Sequence, residues 1–216
     1  MRNRVVTLLA AACWCAAAGA EPARLPVPPP GSYALPSLGA AADGAVLDTD
    51  GAETSLHALF DDRVVLLAFV YSSCGDAEGC PLATASLHRL GRMLEGDPRA
   101  RARLRVLSLS FDPEHDTPAR LREVEQGVER AGLDWRFLTT RSRGALDPIL
   151  AAYGQALARE RDAEGRETGA IAHVLRVFLI DPAGRIRNIY SSSYLEPDLL
   201  LTDVRSLLLE PPGGRP

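Results

Sequence analysis

Cys74 and Cys80, six positions apart, are the residues whose type and spacing first suggest chemistry. Thiolates exchange with disulfides and hold soft metal ions. In an exported protein an even pair also reads as a structural bridge, but closing so small a ring adds little loop entropy. Reactivity is therefore the better use of the pair. Cys80 stands before Pro81, which opens a helical pattern, and a thiol at a helix N-terminus meets a positive dipole and unsatisfied N–H groups that favour its thiolate. Asp76 and Glu78, inside the loop, work against that effect. His173 is the third element, standing before an apolar run and after the glycine-bearing, flexible stretch 165–169. Two thiols and a neutral imidazole make a soft trigonal set suited to Cu(I), and one more ligand extends it to Cu(II). His57, His88 and His115 are spare, and His88 is expected to be solvated.

The elements that must bring these side chains together can be read from periodicity. Residues 63–71 are apolar on both pleat faces and β-branched, which predicts a central strand covered by helices, ending at the Ser72-Ser73-Cys74 turn. A helix is expected over 81–96, a strand over 104–111, and a helix from Pro118 with Thr117 as its N-cap. A short strand at 135–138, a helix over 142–157, strands over 174–180 and 186–191, and a last helix over 197–209 complete the pattern. Asp48 to Gly51 mark the turn of a small opening hairpin. This order predicts an α/β sandwich with a mixed sheet, parallel crossovers first and a hairpin last, as in the thioredoxin fold. Asp112, Pro113 and Asp116 end a strand at the same sheet edge as the cysteine loop. Asp116 and Thr117 are read as capping groups, Tyr71 as packing near the site, and the arginines of 99–105 as a solvated face.

Composition narrows the field further. The chain has 216 residues, 46% of them hydrophobic, enough for one cored domain. Its basic residues are all arginine, and its net charge of −4 comes with no basic stripe, which argues against nucleic acid as a partner. Arg2 and Arg4, the apolar run 5–12 and Ala18-Gly19-Ala20 read as a secretory signal over residues 1–20, too short to span a bilayer. Cleavage removes Cys13 and Cys15, leaving Cys74 and Cys80 as the mature chain's cysteines; a lipidated Cys13 or Cys15 is the variant that would attach the protein to a membrane. The expected organisation is a leader over 1–20, a proline-rich arm over 21–43, a thioredoxin-like domain over 44–210 and a flexible tail over 211–216.

Several segments carry a resemblance when taken together and in order: Phe69-Val70-Tyr71-Ser72-Ser73-Cys74 with Cys80-Pro81, then the run from Leu107 through Phe111-Asp112-Pro113-Glu114-His115-Asp116-Thr117 to Pro118, then His173 ahead of Leu179-Ile180-Asp181-Pro182-Ala183-Gly184-Arg185. They resemble the SCO/SenC family of copper-delivery proteins over nearly all of the mature domain. The resemblance implies a periplasmic, thioredoxin-fold metallochaperone that binds copper through Cys74, Cys80 and His173. It implies as partners the copper A subunit of cytochrome c oxidase, or another periplasmic cuproprotein, and a copper donor protein. One departure stands out: the family usually has three residues between its cysteines, and here Gly75 to Gly79 make five. Whether the sulfurs converge then depends on how that loop folds. The alternative is a thiol-disulfide oxidoreductase using Cys74 and Cys80 without stable copper, for which one thiol attacks and the other resolves. Thioredoxin-like reductants usually carry a proline before the strand facing the dithiol; residues 167–173 have none, and His173 stands at that station, which favours copper. A peroxidase of the same fold wants a threonine or proline setting and an arginine around one attacking thiol, which Ser72-Ser73-Cys74 does not supply.

Overall fold

A computed structural model describes residues 26–128 and 131–211. The chain runs through β1 (Gly39–Ala40), β2 (Ala45–Leu47), β3 (Glu53–Ser55) and α1 (Leu56–Phe60) into β4 (Val64–Val70). It continues through α2 (Cys80–Met93), α3 (Pro98–Ala102), β5 (Leu104–Ser110), α4 (Pro118–Gly127), β6 (Asp134–Leu138) and α5 (Arg143–Ala152). A hairpin of β7 (Leu157–Arg161) and β8 (Glu167–His173) follows, then β9 (Val177–Ile180), β10 (Arg185–Tyr190) and α6 (Pro197–Leu209). The expected leader over 1–20 and most of the tail, 212–216, lie outside the described residues.

The six-stranded sheet has the order β1-β10-β9-β4-β5-β6, with β4, β5 and β6 parallel and β9, β10 and β1 antiparallel to their neighbours. Its centre is dictated by β4, where successive side chains point to opposite faces and both faces must be covered. Val64, Leu66 and Ala68 pack beneath α2, α4 and α6 with Leu87, Leu121 and Val204. Val65, Leu67 and Phe69 pack on the other side beneath α1 and α5 with Leu56, Leu146 and Ile149. The molecule is therefore a thioredoxin-like sandwich, with helices on both faces of a mixed sheet. Open α/β sheets bind ligands outside the carboxyl ends of their strands, and the cysteine loop leaves the carboxyl end of β4.

The expected helix over 142–157 ends sooner, and the reason is local. Gly154 adopts φ +60°, its N–H donates to the Ala151 carbonyl, and the Gln155 N–H reaches back to Leu150 at 2.8 Å. That is a Schellman stop, which glycine permits at no steric cost. Residues 157–161 are then released to pair with 167–173, Leu157 opposite His173 and Arg159 opposite Ile171. The stretch 165–169, expected as flexible, is the end of that hairpin's turn and the start of β8. The strand expected over 174–180 begins only at Val177, because His173 closes the hairpin and Val174 to Arg176 form a link. Arg105 also departs from the solvated face assigned to it: it is 5% exposed and pairs with Asp134 at 2.8 Å across the parallel β5–β6 register. Burial works against the Asp134 carboxylate, but hydrogen bonds from Arg136 and Arg105 outweigh it and hold its pKa below the usual range.

The described part of the proline-rich arm lies along α6 and β10. Gly31 N–H donates to Ser206 Oγ at 2.9 Å, Leu35 is buried, and β1 extends the sheet edge. Asp203, 1% exposed, is the fastening point: its carboxylate accepts from the hydroxyls of Tyr33 and Tyr190 and from the Asn188 amide. Asp203→Ala leaves those donors without their acceptor in a buried setting, and the expected cost is about 2–4 kcal/mol. Urea denaturation measures it, and a loss of less than about 0.5 kcal/mol would show that the arm is not fastened there.

Candidate metal centre

Cys74, Cys80 and His173 come from three segments and meet at one point. A sulfur of each cysteine and a ring nitrogen of His173 all lie within 4.8 Å of one another. Both thiols are unbridged, Cys80 buried and Cys74 half-buried. The five-residue loop converges because it folds on itself. The Cys74 N–H donates to Tyr71, the Asp76 carboxylate accepts from the Glu78 N–H at 3.0 Å, and the Asp76 carbonyl accepts from Gly79 at 3.0 Å. Gly79, at the helix N-cap, permits the close approach: a Cβ there would sit 3.3 Å from the Asp76 carbonyl and carboxylate oxygens. Asp76 thus serves as a loop clasp.

Cys80, expected just ahead of a helix opened by Pro81, is itself the first residue of α2, but the dipole does not win. Burial pushes the Cys80 thiol well up, Cys74 adds to it, and hydrogen bonds with the backbone of Tyr71 and Cys80 pull only partly the other way. The resting group is a neutral thiol.

His173 is held in the tautomer a metal needs. Its Nδ1 lies 3.1 Å from the Ile171 carbonyl, which can only accept, so Nδ1 carries the proton and donates it. Nε2 then faces Cys80 Sγ at 4.0 Å. The ring sits against Phe111, centroids 4.7 Å apart, and edge-on to Tyr71 at 6.0 Å. Tyr71 also fastens the hairpin, its hydroxyl accepting from the Ile171 N–H at 3.4 Å.

Asp116 was read as a cap, and the structure gives it more. It is 1% exposed, and its Oδ2 accepts from the Ser72 N–H at 2.9 Å and the Ser110 hydroxyl at 2.5 Å. One carboxylate oxygen therefore ties the start of the cysteine loop to the end of β5. Thr117 does cap α4, accepting from the Arg120 N–H. Arg159 on β7 is the residue that sequence reasoning missed: it pairs with Glu114 at 2.9 Å and bridges the hairpin to the loop after β5. The alternation of Leu157 to Arg161 beyond Gly154 was the available signal. His88, expected to be solvated, is half-buried on the wall of a groove of about 470 Å3 that begins at the two cysteines and runs between α2 and α4.

Comparison with known proteins decides the family, since the SCO1/SenC profile matches residues 44–209. The chain belongs to the SCO1/SenC family. A SCO1 protein homologue of Bacillus subtilis is 26% identical over 158 residues, covering 73% of this chain and 77% of that protein. The solution structure of apo Sco1 from Thermus thermophilus is 26% identical, with a TM-score of 0.65, over 82% of this chain and 95% of that one. The crystal structure of Arabidopsis thaliana ScoI with copper bound shares the fold at 17% identity, with a TM-score of 0.62, over 78% of this chain and 97% of that one. Among the described residues of this Sco protein, no helix is long and apolar enough to cross a membrane.

Two outcomes follow from this geometry. Asp116→Ala takes the acceptor from the Ser72 N–H and from the Ser110 O–H and should cost about 1–3 kcal/mol of stability in thermal or urea denaturation; an unperturbed protein would remove the tie between loop and strand. Because the raised pKa keeps Cys80 protonated at neutral pH, a thiophilic ion must displace that proton. Apparent Cu(I) affinity should therefore rise with pH, about tenfold per unit for each proton released, and fall on acidification. Competition titrations between pH 6 and 8 read the slope, and a flat profile contradicts a neutral resting thiol.

Proposed function

We propose that this Sco protein is a copper carrier that holds Cu(I), and with a further ligand Cu(II), through Cys74, Cys80 and His173. The observation that supports it is the convergence of two sulfurs and one imidazole nitrogen whose proton is already turned away. First-row metal bonds of ~2.0–2.3 Å to nitrogen and sulfur put the donors of a trigonal site about 3.5–4 Å apart. The 4.0 Å between Cys80 Sγ and His173 Nε2 meets that spacing with little movement. Copper is cargo here: the half-buried Cys74 gives an incoming ligand a point of entry, while Cys80 and the aromatic wall of Phe111 and Tyr71 shield the ion from water.

The reading extends to place and partner. The leader over residues 1–20 directs the chain to the periplasm, where the client is the copper A subunit of cytochrome c oxidase or another cuproprotein, and a donor protein supplies the ion. The copper-bound Arabidopsis relative supports copper as the cargo. A second reading rests on the two unbridged thiols of unequal exposure. As a reductant, Cys74 thiolate attacks a client disulfide, a mixed disulfide forms with one client sulfur leaving as thiolate, and Cys80 then displaces the other. Cys74 and Cys80 end as a disulfide, and the client gains two electrons and two protons.

His173→Ala separates the two. As a copper carrier, the reduced wild-type domain binds one Cu(I), and the variant binds it about tenfold or more weakly. The midpoint potential of the Cys74/Cys80 couple meanwhile moves by less than about 30 mV. Competition titration against a Cu(I) chelator and a glutathione redox titration provide the two readings; equal Cu(I) affinity in both proteins would leave the reductant reading in place.

A further inference from the structure

The loop after β5 carries a second constellation. Asp112, Glu114 and His115 each offer one ligand atom within 4.8 Å of the others. Glu114 and His115 are 59% and 66% exposed, whereas Asp112 is only 3% exposed. Asp112 Oδ2 lies 2.9 Å from His115 Nδ1. Its other oxygen, Oδ1, is buried and accepts no hydrogen bond. A buried carboxylate oxygen without a donor is a costly arrangement that a cation relieves. The Arg159 guanidinium lies 3.7 Å from Oδ1, too far to bond, while the same Nη2 pairs with Glu114 Oε2 at 2.9 Å. Arg159 thus stands beside the cluster as a partial counter-ion, with Glu167 at 3.9 Å as a further partner.

We propose that Asp112, Glu114 and His115 form a second metal site, separate from the cysteine centre, that takes a divalent transition ion such as Cu(II). Two carboxylates and one imidazole are the donor set that borderline divalent ions prefer and Cu(I) does not. The site therefore complements the sulfur-rich centre and does not depend on the copper-carrier reading. Access is open through the exposed Glu114 and His115, and Asp112 supplies the buried, preoriented ligand. The loop is braced from within: the His115 and Asp116 N–H groups both donate to the Asp112 carbonyl. On binding, Glu114 exchanges Arg159 for the metal, and Arg159 keeps Glu167. Arg159 is therefore a competitor for the site, which gives the proposal a sign to test.

The test uses the full mature chain with Cys74→Ser, Cys80→Ser and His173→Ala, so that the cysteine centre is silent, and Cu(II) alone as the probe. Circular dichroism establishes that each protein is folded. The expected result is one Cu(II) bound at micromolar protein concentration, with an electron paramagnetic resonance signal of nitrogen and oxygen ligation. Adding His115→Ala should weaken binding by about tenfold or more, and adding Arg159→Ala instead should tighten it several-fold. Three results would overturn the site: no Cu(II) bound at that concentration, an affinity indifferent to His115→Ala, or an affinity unchanged or weakened by Arg159→Ala. Glu114→Gln, at an exposed loop position, provides an independent check: it should also weaken binding, and no change counts against the ligand set.

Discussion

One buried oxygen, Asp116 Oδ2, sets the frame in which the candidate centre exists. It accepts from the backbone of Ser72 at the exit of β4 and from the hydroxyl of Ser110 at the end of β5, and so makes one rigid ledge of two loops that leave neighbouring parallel strands. The strands themselves cannot shift, because β4 and β5 are buried on both faces and a register slip would turn every side chain to the wrong layer. A charged acceptor in a dry setting forms strong hydrogen bonds when it is paired, and is expensive when it is not. The cysteine loop inherits its position from that ledge, and the length of the loop matters less than where its two ends are held.

Desolvation then governs reactivity. Cys80 starts a helix, yet its burial and the neighbouring sulfur outweigh the favourable dipole, so the pair rests with at least one neutral thiol. A thiophilic cation would supply a charge to match the thiolate, whereas a client disulfide would consume the thiolate in an S–S bond and release a client thiolate. Tyr71 belongs to the same wall and is subject to the same influence, its hydroxyl pushed up by burial while it accepts from Ile171. Phe111 and Tyr71 pack against each other beside the buried Cys80, and the half-buried Cys74 is the more accessible of the two sulfurs.

The imidazole arrives by a different route. His173 ends a two-stranded hairpin that belongs to no part of the main sheet and is fastened at a few points: Tyr71 to Ile171, Arg159 to Glu114, and Arg176 to the Gly154 carbonyl at 2.7 Å. The carbonyl of Ile171 both belongs to that hairpin and sets the ring's tautomer, so docking of the hairpin and readiness of the ligand are one event. The acidic loop that receives Arg159 is the same loop that holds Asp116, which links the two clusters of donor groups through the backbone of 112–116.

Much of this was legible in the residues. Runs apolar on both faces named the central strands, Pro81 and Thr117-Pro118 named helix starts, and the family-like order of motifs named Cys74, Cys80 and His173 as a set. Those signals are local or nearest-neighbour, and periodicity and backbone chemistry carry them. The expected helix runs to Leu157 and no strands are assigned to 157–173, since the charged alternation of the hairpin is weak and the helix stop rests on the positive φ of Gly154. Arg105 was misread because a strand interior can bury an arginine only if a partner waits on the next strand, and Asp134 lies 29 positions away. The sequence by itself determined which side chains had the chemistry and, apart from the hairpin of 157–173, which segments were strands or helices. Only the tertiary structure decided that a five-residue loop brings its sulfurs together, that Asp116 holds that loop, and that a neutral thiol faces an oriented imidazole, because burial, long-range hydrogen bonds and convergence are properties of segments that meet in space.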